Sequence, residues 1–147
     1  MRKRSKYKPR PILLNPVGYV LEGFNRVTNY TDENVKIRLK YHLALDAVLH
    51  GKATAADVNL LANASNVCTA LARAVDKGRE WATEIRAGAD AIEALRNRDR
   101  KVCTGPELQA IRVLLEIHDA QLDDSTISDI ETAVALVRKR ERQGMMV

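Results

Sequence analysis

Two stretches of this chain space histidine and carboxylate side chains in ways that could support chemistry. His42, Asp46 and His50 recur every four residues, so on a helix they share one stripe. Two imidazoles and a carboxylate are a ligand set suited to zinc. In LLEIHDAQLDD, Glu116, Asp119 and Asp123 share another face, with His118 and Gln121 beside them. Paired carboxylates there suit Mg²⁺ or proton exchange, and the His118–Asp119 neighbours suit the orientation of a base. Plainer explanations compete with both. Structural metal sites need four converging ligands. A histidine at a helix C-terminus is favoured by the dipole, and Asp46–His50 is an ordinary surface pair. The acidic stripe equally describes the solvated side of an amphipathic helix, or a docking face for a partner or for the chain's own basic arm. There is no glycine-rich phosphate loop, no GxSxG or HExxH motif, and no nucleophile with an evident base. The glycines read as markers of element ends. The expectation is a protein that is not an enzyme, with no catalytic residue, metal ligand or cofactor assigned.

The stronger chemical signal is positive charge. Arg2, Lys3, Arg4, Lys6, Lys8 and Arg10 place six cations in the first ten residues, with no acidic residue among them. The whole chain is +5 with histidine neutral, so residues 11–147 carry a net −1. A nearly neutral body thus bears a concentrated cationic arm, which repels itself and seeks phosphate or an acidic protein surface. Tyr7 offers a ring on which a base can stack. Cations recur at Arg96, Arg98, Arg100 and Lys101, and at Arg138, Lys139, Arg140 and Arg142. Both later groups fall near helix C-termini, where cations are stabilising on their own account. The arm has no such structural reason, because no helix end needs six charges. The expected nucleic-acid-binding set is therefore Arg2, Lys3, Arg4, Lys6, Tyr7, Lys8 and Arg10, with Arg138, Lys139, Arg140 and Arg142 as a second point of contact. Base-reading motifs are missing, so such binding would tolerate sequence or depend on a larger complex.

The elements that must position these groups read as helices. Pro9 and Pro11 keep residues 1–14 out of a helix, which makes them an extended arm, with a helical domain over 15–147. Asn15-Pro16 starts a short helix over 16–23, and Tyr19, Val20 and Phe24 fasten that segment to the body. Residues 32–50 are ambiguous: Val35, Ile37, Leu39, Tyr41, Leu43 and Leu45 alternate with strand period, yet Thr31-Asp32 and Gly51 bracket a helix. No second strong strand is available to pair with it, so the helix is preferred, with Leu43, Ala44, Ala47 and Val48 on its inner face. Thr54-Ala55-Ala56-Asp57 opens a helix burying Val58, Leu61, Cys68, Leu71 and Val75, broken at Gly78. A further helix over about 79–98 buries Trp81, Ile85, Ala89, Ile92 and Leu95. Thr104-Gly105-Pro106-Glu107 starts another, carrying Leu108, Ile111, Leu115 and Leu122 inward. Thr126-Ile127-Ser128-Asp129 opens the last, with Ile130, Val134 and Val137 inward. Short connections make neighbours antiparallel. The fold class is all-α: a helical bundle of about five helices with an extended basic N-terminal arm.

Composition agrees with one ordinary globular domain: 147 residues, 46% hydrophobic and 29% charged. Five of the six aromatic residues lie in the first 41 positions, which leaves the later core to Leu, Val, Ile and Ala. Cys68 and Cys103 form no CxxC pair and no disulfide framework. Cys68 reads as a buried small hydrophobe, and Cys103 lies near a loop where it could be exposed. The run PILLNPVGYVLEG is too broken for a secretory signal, and no stretch approaches a transmembrane span. A cytoplasmic location is expected.

Four stretches taken together, KYKPR, NPVGYVLEG, HLALDAVLHGKATAADV and GPELQAIRVLLEIHDAQLDD, resemble a group of small proteins encoded by bacteriophages of Gram-negative bacteria. The resemblance covers most of the chain. It implies a phage or prophage origin and work in the bacterial cytoplasm, and it carries over no functional residue. The expected function is that of a non-enzymatic phage accessory protein binding nucleic acid, or a host nucleic-acid–protein complex, through its basic arm. Two other readings stand beside it: a protein-binding inhibitor of a host defence machine acting through a helical face, and a small metal-dependent hydrolase at Glu116, His118 and Asp119. A homodimer is kept open.

Overall fold

In a computed structural model the described residues are 31–144, and they form five α-helices with no strand among them. The helices are α1 (Thr31–Leu49), α2 (Ala55–Ala74), α3 (Ala82–Arg96), α4 (Gly105–Asp124) and α5 (Ile127–Arg142). A single 3-10 turn, Arg79–Trp81, leads into α3. The all-α bundle expected from the sequence is what forms. The arm, the short helix at 16–23 and the anchoring of Tyr19, Val20 and Phe24 lie outside the described residues.

Three helices start where their caps place them. Thr54, Thr104 and Thr126 each accept a hydrogen bond from the backbone N–H three residues on, and the carboxylates of Asp57, Glu107 and Asp129 each accept one from the cap residue's own backbone N–H. Each reciprocal pair satisfies two amide donors that a bare helix start would leave open. Glu107 has a second role. Its two carboxylate oxygens take a fork from Arg98, at 2.6 Å from Nη1 and 2.5 Å from Nη2, which ties the end of α3 to the start of α4. That guanidinium holds the Glu107 carboxyl well below its ordinary range, at about 2.

The bundle is organised around α2, which packs against α1, α3, α4 and α5. Its inward face, Val58, Leu61, Ala64, Cys68 and Leu71, is fully enclosed. Ala44, Leu45 and Val48 of α1, Ile85, Ile92 and Leu95 of α3, and Ile111, Leu114 and Leu115 of α4 complete the main core. A smaller cluster joins Ala70 and Leu71 to Ala133 and Val137 of α5. With so few aromatics, close approach does the packing. A Cβ added at Gly88 would sit 2.5 Å from Leu114 Cβ and 2.9 Å from the Ala110 carbonyl oxygen, so α3 rests on α4 at a distance only glycine permits. The reading of glycines as end markers fails at Gly88, which is buried in mid-helix. It holds at Gly78, where φ is +83° after α2 has ended at Ala74.

Two apolar assignments need correction. Trp81 stands 49% exposed in the turn before α3, because that helix begins one residue later and carries its inward stripe from Ile85 onward. Leu43 is 57% exposed. The inward face of α1 runs through Tyr41, Ala44, Leu45 and Val48, and Leu43 falls on the side away from it. The strand-like alternation has the same origin: on a helix it distributes apolar residues around the whole circumference rather than on one face.

Candidate functional site

The two constellations found in the sequence do not persist as units, and their members are re-sorted between helices. His42 Nε2 lies 2.8 Å from Asp119 Oδ2, across the α1–α4 contact. One turn away, Arg38 of α1 pairs with Asp123 of α4. The acidic stripe of α4 is thus a docking face for α1. His50 stays with its own helix, its Nδ1 2.9 Å from the Asp46 carbonyl oxygen and 3.3 Å from Asp46 Oδ1, as the surface-pair explanation requires. Glu116 points elsewhere, exposed at the rim of a cleft near Trp81.

His118 and Gln121 are buried, at 1% and 3% exposure, and do not flank a solvated acidic face. They form a polar hub instead. The Gln121 amide Nε2 donates to the Cys68 carbonyl at 3.0 Å and to the Lys77 carbonyl at 2.7 Å. Its amide oxygen lies 3.2 Å from His118 Nδ1, and because that oxygen only accepts, Nδ1 carries the proton. Ser125 Oγ donates to the Gln121 carbonyl at 2.6 Å. The Tyr41 ring packs 5.7 Å from the His118 ring, centroid to centroid. Burial lowers the His118 pKa, and it pushes the Cys68 thiol up to about 12. A neutral histidine sealed from solvent, with its donor already spent on an amide, is placed to brace α2, α4 and the Lys77 turn. Among the described residues no three His, Cys, Asp or Glu side chains converge as a metal site.

The cationic groups divide as well. Arg2, Lys3, Arg4, Lys6, Tyr7, Lys8 and Arg10 lie outside the described residues. Arg98 is committed to Glu107, and Lys101 Nζ turns back onto the carbonyls of Leu95, Arg96 and Arg98, closing the C-terminus of α3. Both therefore act as helix-end cations. On the last turns of α5, Arg138, Lys139 and Arg142 are exposed, while Arg140 lies half-buried on the side continuing from Ala133 and Val137. Arg142 Nε donates to the Arg138 carbonyl at 3.3 Å. Three of the four cations thus share a solvent-facing arc, with Glu141 between them.

One feature was missed from sequence. Lys77, Trp81, Val113, Glu116, Ile117 and Ala120 are among the residues lining an open cleft of about 470 Å³ between the turn before α3 and the outer side of α4. Its signal was a lone tryptophan just after Gly78. The same spacing suits a core position equally well. Cys103 is half-buried, with its thiol pKa raised by that burial. No helix among the described residues is long and apolar enough to cross a membrane.

Compared with known protein families, curated proteins and solved structures, the chain matches none.

Proposed function

We propose that the protein is a non-enzymatic bacteriophage accessory protein that works in the bacterial cytoplasm and binds nucleic acid, or a host nucleic-acid–protein complex, through its basic arm. The observation that carries this reading is the partition of charge: six cations in ten residues against a net −1 on the remainder. Arg2, Lys3, Arg4, Lys6, Lys8 and Arg10 contact phosphates and Tyr7 stacks on a base. Arg138, Lys139 and Arg142 add a second, weaker point, to which half-buried Arg140 contributes less.

The test is binding of full-length protein, and of protein lacking residues 1–10, to labelled single-stranded RNA and duplex DNA across a salt series. If about four phosphates are neutralised, log K falls against log salt with a slope of about −3 to −4. Deletion of the arm abolishes binding while the helical circular-dichroism signal and cooperative melting persist. Unchanged affinity after deletion overturns the reading.

A second reading draws support from half-exposed Trp81 beside Val113 and Ile117: a helical face that captures a host protein. It predicts a stoichiometric complex that tolerates salt and survives nuclease.

A further inference from the structure

Exposed apolar side chains are concentrated on one helix. Of the seven large hydrophobic residues exposed among the described ones, five belong to α1: Val35, Ile37, Leu39, Leu43 and Leu49. The core side of α1 is already occupied, through Tyr41, Ala44, Leu45 and Val48. On its opposite side Asp32, Lys36, Leu39, Leu43, Asp46 and His50 follow one another at intervals of 4, 3, 4, 3 and 4 residues, and all six are exposed. That is the seam spacing of a two-stranded coiled coil, about 27 Å long at 1.5 Å per residue.

We propose that this seam is a homodimer interface, in which α1 of a second copy packs antiparallel on α1. The argument is charge complementarity about a centre at position 41. In that register Leu39 meets Leu43 of the second copy and Leu43 meets its Leu39. Lys36 meets the second copy's Asp46, and Asp32 meets its His50, each twice by symmetry. On one edge Val35 lies opposite Leu49 of the other copy, which covers two more exposed hydrophobes. A parallel pairing in register would set Asp32 on Asp32, Lys36 on Lys36 and Asp46 on Asp46, three like-charge layers. Two residues meet their own copies in the antiparallel arrangement: Lys40 on the second edge, where its long stem carries the ammonium out to water, and His42 on the first edge between the two Val35–Leu49 contacts, where its ring is held by Asp119 of its own chain. Asp46 must also share its carboxylate between its own His50 and the incoming Lys36.

The test is sedimentation of the full chain over a concentration series from about 1 to about 500 µM, a range set by the small apolar area of a two-leucine seam. Wild type shifts reversibly from monomer to dimer. Leu39→Asp with Leu43→Asp stays monomeric and keeps the helical signal. Lys36→Glu weakens the dimer about tenfold, and Lys36→Glu combined with Asp46→Lys restores it. A chain that is monomeric throughout overturns the proposal. So does a dimer indifferent to the leucine substitutions, or one that the double charge exchange fails to restore.

Discussion

His42 Nε2 and Asp119 Oδ2 stand 2.8 Å apart, although 77 residues separate them in the chain and each belongs to a different apparent catalytic cluster. Their pairing makes both structural. With Arg38–Asp123 one turn away, it fixes how far α1 slides along α4. The pair is partly solvated, with side-chain exposures of 44% for His42 and 27% for Asp119. Asp119→Ala should therefore cost only about 0.2–1 kcal/mol, measured by urea unfolding. A loss of several kcal/mol would mean that α1 depends on this contact far more than its exposure allows.

Gln121 carries a larger load. Replacing it with Leu takes their partners from the Lys77 carbonyl and the His118 Nδ1–H, and removes the second, side-chain donor from the Cys68 carbonyl, which keeps its bond within α2. The expected destabilisation is about 2–4 kcal/mol, read as a lower denaturant midpoint with unchanged slope. A cost near zero would show that water replaces the amide, and the hub would lose its structural meaning.

Stability should depend on pH through His118. Its folded pKa is lowered from 6.5 by burial, so the unfolded chain takes up a proton that the folded chain excludes. Stability is complete above about pH 6.5 and falls as pH drops below it, by at most about 1.4 kcal/mol per pH unit until the folded pKa is reached. His118→Gln, which cannot titrate, should flatten the profile between pH 7 and 5 in unfolding curves taken at each pH. Parallel profiles for both proteins would remove His118 as the cause.

Gly88→Ala tests the α3–α4 approach. A methyl group 2.5 Å from Leu114 Cβ and 2.9 Å from the Ala110 carbonyl cannot be accommodated without moving a helix. The expected cost is about 1–3 kcal/mol or more, visible as a lower Tm, even though alanine is the better helix former. A stabilised variant would mean that the two helices separate freely.

Much of the architecture was legible in the linear chain because its causes are local. Thr54, Thr104 and Thr126 announce three helix starts through carboxylates three residues on, and a reciprocal cap requires no distant partner. The inward stripes of α2 and α4 follow from spacing alone. The charge partition behind the proposed arm function is likewise a property of the sequence.

Tertiary structure decided which polar groups meet. Spacing put His118 beside Asp119 and His42 with Asp46 and His50, but adjacent residues on a helix point about 100° apart. Once α4 turned His118 and Gln121 inward against α2, Asp119 faced α1 and took His42 as its partner. The exposures of Trp81 and Leu43 were hidden for the same reason. Periodicity shows that a residue is apolar and on which side of its helix it sits, but not whether another helix lies there. For α1, covered on one side and apolar on the other, only the packed bundle separates core from surface.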